Sequence, residues 1–559
     1  MKKLVVLFLL VAMTTGIMAQ VAPNKYWVKF TDKNDSPYSI ENPLDYLSQR
    51  AIDRRVAHGI SIVENDLPVN PQYIQDVVET GVTLHNVQKW FNSITIITSD
   101  PSLISIINGF DFVVSVEKST STGSGMLNKT EKSYFANESY GDLPQANEKS
   151  TTSGLSYDYG QAYNQIEMLN GIAMHDMGFD GEGMIIAIQD AGFMNVDSYE
   201  AFTYLWDNGK ILGTHDFVNP QNPDIFGSHT HGCSVLSTMG ANISGQMVGT
   251  APQASYWLLR SEDGDSEYLI EELNWVSAAA FADSVGADVI NSSLGYTTFD
   301  DPSQDHTYDD MDGNTTPITI GGDIAVSKGM IVVNSAGNSG SGSWQYIGAP
   351  ADGDSVFSIG AVDGNGFYAS FSSTGPTADG RLKPNVVAQG SGSTIINGWT
   401  GEITSGNGTS FSSPITAGMV ACLWQALPEK RNLEIMELIE QSAHLFDDPN
   451  NQLGYGIPDY MSAYDVATDT GNGITIESGI SIKPNPFKDE LSIQILNDNT
   501  PIDAIEIVDI TGKVIYKEVL NSNNTFEYTV SGFETLSSGF YFVKISSGDK
   551  IYTKKAIRK

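Results

Sequence analysis

The sequence predicts an α/β fold in which a parallel sheet flanked by helices is preceded by a small α/β unit and followed by a small all-β sandwich. Three observations carry this. Between residues 158 and 467, short and nearly all-apolar segments alternate with stretches of helical length; strands of that kind are buried on both faces, as in a parallel sheet covered by helices. Ahead of them, residues 21–118 mix strand-like and helix-like spacing. Behind them, residues 475–559 break into short alternating segments separated by Asn, Asp and Gly turns, the pattern of a sandwich. A chain of 559 residues is in any case too long for one core.

Taken in order, residues 1–20 carry Lys2 and Lys3, an apolar run from Leu4 to Met13, and Gly16-Ile17-Met18-Ala19. This reads as a secretory signal peptide, too short for a membrane span. In the first folded unit, Tyr26–Phe30, Ser93–Ile97 and Phe112–Val116 read as strands, and Pro43–Val56 and Pro71–Thr80 as helices. Residues 119–157 are rich in Ser, Thr, Gly, Asn and Lys and poor in apolar side chains, a linker composition. In the central unit, Met184–Ile188, Ala287–Ile290 and Met330–Val333 read as buried strands, while Glu267–Val285 and Ser413–Leu427 read as helices. Residues 468–474 form a Gly/Asp/Thr hinge. Leu491–Ile495 and Phe540–Ile545 are the clearest strands of the last unit.

Charge narrows the partners. With 67 acidic against 30 basic side chains the net charge is −37, which disfavours nucleic acid and anionic membranes, since both repel such a chain. No later segment approaches 18 uninterrupted apolar residues, so no transmembrane segment is expected, and the reading is of a monomer. Cys233 and Cys422 allow one bridge at most; two buried free thiols are favoured over a disulfide in a chain with large cores.

Three central segments carry chemistry. Asp190, in Gln189-Asp190-Ala191-Gly192, closes a buried strand at the sheet edge where α/β proteins build sites; alone, it reads more readily as a strand-end Asp capping a helix. His231 stands in His229-Thr230-His231-Gly232 before a run of small and apolar residues, where a neutral imidazole takes a proton if a carboxylate fixes its tautomer. A metal reading of the His-x-His pair lacks further ligands nearby. Ser410, in Gly408-Thr409-Ser410-Phe411-Ser412-Ser413-Pro414, opens a helix whose free N–H groups favour developing negative charge, although an N-cap serine is locally as good a reading.

In the order Asp, His, Ser, these segments resemble the subtilisin-like serine peptidases. The resemblance implies that Asp190 orients the imidazole, that His231 acts as general base and then acid, and that Ser410 is the nucleophile of an acyl-enzyme mechanism. It implies further that Asn338, in Ser335-Ala336-Gly337-Asn338, completes an oxyanion hole. Ser293-Leu294-Gly295 and Ser335-Ala336-Gly337 are implied to bind substrate. Gly249-Thr250-Ala251-Pro252, Gly375-Pro376 and Gly454–Asp459 extend the likeness to the whole central unit. Ala191 and Cys233 depart from the family pattern without removing a catalytic atom. The chemistry implied needs no cofactor. Structural calcium is common in the family, and Asp309, Asp310 and Asp312 are weak candidates for it in an acidic loop that reads more simply as a solvated surface.

The first unit resembles the propeptides of these enzymes, which implies an autoinhibited precursor; an ordinary accessory domain is the alternative. The last unit resembles the sorting domains of the Bacteroidetes type IX secretion system through Pro484-Asn485-Pro486-Phe487, Asp509–Lys513, Ser538–Lys544 and the basic end Lys554–Lys559. That implies the secretion machinery as a partner, passage through the periplasm, and a secreted or surface-attached product acting on proteins or peptides. A carbohydrate-binding module is the rival for this unit. An adhesin on an inert protease fold is the rival for the chain, and intact Asp190, His231, Asn338 and Ser410 oppose it. A lipase reading lacks a Gly-x-Ser-x-Gly elbow.

Overall fold

The computed structural model describes residues 24–119, 139–141, 156–221 and 224–468. Between 480 and 558 it describes all except 486, 496–501, 510–512, 521–526, 534–535, 538 and 548–549. The expected signal peptide and hinge, and most of the expected linker, lie outside the described residues.

The central sheet has seven parallel strands in the order Val386–Gln389, Phe357–Val362, Ile331–Ser335, Val289–Ser292, Ile185–Asp190, Ser255–Arg260 and Ile211–Asp216. Three of its inner strands, Val289–Ser292, Ile331–Ser335 and Phe357–Val362, are buried along their length, as expected for a parallel sheet covered on both faces. Ile186 and Ile188 face one core, which takes in the helices His231–Gly240 and Thr409–Ala426. Ala187 and Ile290 face the other, against the helix Ile270–Val285. Both cysteines are buried free thiols.

The Thr409–Ala426 helix begins four residues before the expected start, so Pro414 lies inside it rather than in its first turn. A proline there removes the N–H that would bond the carbonyl four residues back. That carbonyl belongs to Ser410, and the Ser293 hydroxyl donates to it instead, at 2.9 Å.

The N-terminal unit is a four-stranded antiparallel sheet, ordered Thr83–Gln88, Ser93–Thr98, Asn24–Phe30, Val113–Lys118, with the helices Gln49–His58 and Pro71–Glu79. The Pro43–Val56 segment is not one helix: Pro43–Asp45 is a single 3-10 turn, and Ser48 then caps Gln49–His58 by accepting from Ala51 N. Thr83–Gln88 and the short helix Ser102–Ile107 escape a reading by periodicity.

This unit docks on the Ile270–Val285 helix. Asn86 donates to Asn274 and to the Phe217 carbonyl, and Gln88 donates to Ser277. Beside them, Asp283 is fully buried and accepts from Arg54 at 2.6 Å, Arg55 at 2.9 Å and Lys89 at 3.3 Å. Burial alone would raise its pKa, but Lys89, Arg54 and Arg55 together hold the carboxyl well below the ordinary range.

At the C-terminal end, the strands Ile480–Lys483, Glu490–Ile495 and Glu527–Ser531 form one antiparallel sheet. Val514–Val519, Ala504–Asp509, Gly539–Ser547 and Lys550–Arg558 form another. Leu491, Ile493, Ile505, Ile507, Val543 and Ile545 share their core, as a sandwich requires.

Candidate active site

Asp190 is the last residue of its strand and His231 the first of its helix. The two meet because Gly192 and Gly232 let the backbones touch: Gly232 N donates to the Gly192 carbonyl at 3.0 Å, and a Cβ on Gly232 would collide with that oxygen. His231 Nδ1 lies 2.8 and 2.9 Å from the two Asp190 carboxylate oxygens, with both residues buried. Ala191 N donates to Asp190 Oδ1 at 2.7 Å. The pairing assigns the proton to Nδ1, leaving Nε2 as the basic nitrogen.

Ser410 lies in the first turn of its helix, whose N-cap is Gly408, so the hydroxyl does not cap. Its Oγ is buried and has no hydrogen-bond partner among the described residues. Burial without a partner is costly for a purely structural hydroxyl. The next side chain, Phe411, sets its ring 6.3 Å from that of His231.

Asn338 is aimed by Thr409, a role sequence reasoning missed because the two lie 71 residues apart. Its Oδ1 accepts from Thr409 N at 2.9 Å and Thr409 Oγ1 at 3.0 Å, and Gly337 N donates to the same hydroxyl at 3.1 Å. With Oδ1 turned onto Thr409, the amide must present Nδ2 from its other corner. Gly337 makes the tight approach with φ +105°.

Gly295, Ser335, Ala336 and Gly337 line a small open cleft together with Tyr346 and Gly348, and among the described residues no charged side chain lines it. Ser293 and Leu294 do not: the Ser293 hydroxyl bonds the Ser410 carbonyl, and Leu294 is buried in the core. Trp344 also packs against that core, whereas Tyr346 lines the cleft with its ring tilted 31° to that of Tyr308, centroids 4.2 Å apart. Cys233, two residues beyond His231, is buried in the apolar core, and burial, then the Asp190 charge, pushes its thiol up to about 12, which disfavours the reactive thiolate.

The acidic loop binds its own backbone. Asp310 accepts from Thr307 N, Asp312 accepts from Asn314 N and Thr315 N, and Asp309 is exposed. Among the described residues the group of acidic side chains close enough to share a cation is instead Glu262, Glu267 and Glu271, with ligand atoms within 4.8 Å of one another. There Tyr268 N donates to Glu271 and the Tyr296 hydroxyl to Glu262.

A seven-stranded parallel sheet with an imidazole–carboxylate pair and a buried hydroxyl at its carboxyl edge is the framework of a serine endopeptidase. Residues 181–456 match the model of the Subtilase family, residues 25–134 that of the Peptidase S8 propeptide domain, Bacteroidota, and residues 481–559 that of the Secretion system C-terminal sorting domain. The chain is 30% identical to Subtilisin E of Bacillus subtilis (strain 168) over 296 residues, 52% of this chain and 68% of that protein. It is 30% identical to Subtilisin of Bacillus pumilus over 284 residues, 50% of this chain and 90% of that one. Serine protease AprX of Bacillus subtilis (strain 168) is 29% identical over 299 residues, 48% of this chain and 64% of its own length. The chain belongs to the subtilase family. It is a serine endopeptidase made as a precursor with a propeptide, and its sorting domain marks it as secreted or cell-surface. Among the described residues, no helix is long and apolar enough to cross a membrane.

Proposed function

We propose that Asp190, His231 and Ser410 form the catalytic triad of this peptidase and that Asn338 and the Ser410 N–H form its oxyanion hole. The observation that carries this is the bidentate Asp190–His231 pair in one buried site with an unpartnered Ser410 hydroxyl. Ser410 Oγ attacks the scissile carbonyl and passes its proton to His231 Nε2, while Asp190 stabilises the imidazolium. The oxyanion is held by Asn338 Nδ2 and the N–H of Ser410 at the helix N-terminus. His231 then protonates the leaving amine, and water attacks the acyl-enzyme by the same route in reverse. The cleft lined by Gly295, Ala336 and Gly337 takes an uncharged side chain of the substrate.

A fluorophosphonate reagent tests the assignment. It should modify Ser410 at one equivalent, with parallel loss of casein hydrolysis, and leave His231→Ala unmodified. Modification of a different serine would overturn it.

Thr409→Val keeps volume and the backbone N–H but removes the hydroxyl that aims Asn338. We expect kcat to fall about 10-fold with KM nearly unchanged, the size of one lost hydrogen bond felt in the transition state. A pure change in KM would place Thr409 outside the oxyanion machinery.

The precursor is autoinhibited by the N-terminal unit, and its grip depends on pH. His85 is buried beside the Ile270–Val285 helix, and burial, then Lys25, lowers its pKa from 6.5 to about 3. Docking therefore favours the neutral ring, so this contribution is complete above about pH 6.5 and is lost as pH falls from there toward 3. His58, half-buried and stacked on Trp424, is lowered by burial and Arg54 in the same sense. Inhibition by the propeptide should weaken between pH 7 and 5, and His85→Gln should flatten that slope; a slope unchanged by the substitution would remove His85 from the account.

A further inference from the structure

Arg260 closes the strand Ser255–Arg260 and lies in register with Asp190, the last residue of the neighbouring strand. The pairing runs one step further, where Ser261 N donates to the Asp190 carbonyl at 3.1 Å. The Arg260 side chain is mostly buried, and its guanidinium is divided among three groups. Nε donates to the Ala191 carbonyl at 3.0 Å, Nη1 donates to Asp216 Oδ2 at 3.0 Å, and Nη2 stands 3.7 Å from Asp263 Oδ1. Asp216 is buried and itself fixed, because its Oδ1 accepts from Val218 N at 2.9 Å and from Asn219 N at 2.8 Å.

This grip holds the turn that carries the acid. Ala191 brings no polar side chain of its own, so the two peptides after Asp190 are fixed through their main-chain groups. The first of them supplies the N–H that donates to Asp190 Oδ1 at 2.7 Å. The second carries the Ala191 carbonyl, which Arg260 takes. One residue on, the Gly192 carbonyl is taken by Gly232 N at 3.0 Å, beside His231. The turn is thus clamped between Arg260 and the start of the His231 helix. Both Asp190 oxygens lie within 2.9 Å of His231 Nδ1, so a small rotation of the carboxylate alters both contacts. An ion pair between Arg260 and Asp216 needs only the outer nitrogens of the guanidinium. The Nε–H is spent on the backbone of the acid's own turn, and the planar fork anchored on Asp216 gives that N–H its direction.

On the triad reading above, we propose that Arg260 is a positioning residue for the reaction: through the Ala191 carbonyl it holds the Asp190 carboxylate in the orientation that keeps the His231 proton on Nδ1. It acts on Ser410 only through Asp190 and His231. Its charge is matched by Asp216 and Asp263, so what it lends the acid is direction more than field.

Arg260→Lys isolates the bond. Lysine keeps a positive charge for Asp216 but sets a methylene where Nε stands, which deletes the donor to the Ala191 carbonyl. In the matured enzyme, kcat for a peptide anilide should fall about 10-fold with KM within about twofold, the size of one hydrogen bond felt in the transition state. With isotopically labelled histidine, the proton resonance of His231 Nδ1–H, drawn to low field by its bond to Asp190, should broaden or move upfield. A kcat within about twofold of wild type would overturn the proposal. So would a fall in kcat with that resonance unmoved, which would make Arg260 a brace of the fold alone. Asp216→Asn decides the matter if the lysine variant yields no folded enzyme. It keeps Arg260 and the oxygen that Val218 and Asn219 bind, but withdraws the acceptor that aims the guanidinium. Its kcat should fall about threefold with the same change in the resonance, as for a weakened hydrogen bond. An unchanged kcat or resonance, or failure of both variants to fold, again overturns the proposal. Fluorophosphonate labelling of the wild type reports separately on the triad: modification of a serine other than Ser410 would sink that reading instead.

Discussion

Ser410→Ala should leave the precursor uncut and lower kcat on any peptide by about 10⁶-fold, the scale that removal of the nucleophile has in subtilisin itself. The size follows from the loss of the whole covalent route, after which the oxyanion donors and substrate binding still supply roughly 10³–10⁴ over water. His231→Ala should cost about as much, and the double variant little more, because nucleophile and base act as one unit. Intact mass spectrometry and casein hydrolysis of the full chain are the measurements. A precursor that matures normally in Ser410→Ala would mean that another protease makes the cut. Full casein hydrolysis by the variant would refute the assignment of the nucleophile.

Asp283→Ala should release the propeptide. In the precursor this carboxylate is fully buried among Arg54, Arg55 and Lys89, while Asp66 shares Arg55 at 2.8 Å and Lys328 at 3.1 Å. Removing one partner of a buried ionic cluster leaves the others uncompensated, at about 3–5 kcal/mol. The inhibition constant of the propeptide should rise roughly 10²–10⁴-fold. Asp283 lies on the helix face that the propeptide covers, away from Asp190, His231 and Ser410, so kcat of the mature enzyme should stay within about twofold, as for a surface change remote from the chemistry. Titrating residues 21–118 against wild-type and variant enzyme measures both. Equal inhibition constants would show that the apolar and amide contacts alone hold the interface. The sign with pH differs from that of His85. A depressed carboxyl gives a contribution that persists above its ordinary pKa of 3.8 and fades only as pH falls below it. The weakening between pH 7 and 5 is therefore a property of the imidazoles and not of this cluster.

The sequence by itself determined the layered α/β architecture, because buried strands and helix-length stretches carry their own periodicity. It also offered Asp190, His231 and Ser410 as the candidate reacting side chains, through their order and combination rather than any one local pattern, since a strand-end acid and a serine opening a helix each have an ordinary structural reading. The resemblance to subtilisin-like peptidases rested on the same short segments, and the family match follows them.

Tertiary structure alone decided the rest, and the reason is distance along the chain. Thr409 aims Asn338 across 71 residues, and Ser293 supplies the Ser410 carbonyl with the donor that Pro414 lacks, across 117. Neither partner announces the other. Thr83–Gln88 did not read as a strand because His85, Asn86 and Gln88 are polar, and they are polar because they face another folded unit rather than an oily core. The polar stretch 119–157 reads as a linker throughout, yet Ser139–Gly141 within it is a strand, since what it pairs with is a backbone edge 264 residues away. Hydrogen bonds to a main chain leave no trace in side-chain pattern, and only the folded chain brings that edge beside the nucleophile.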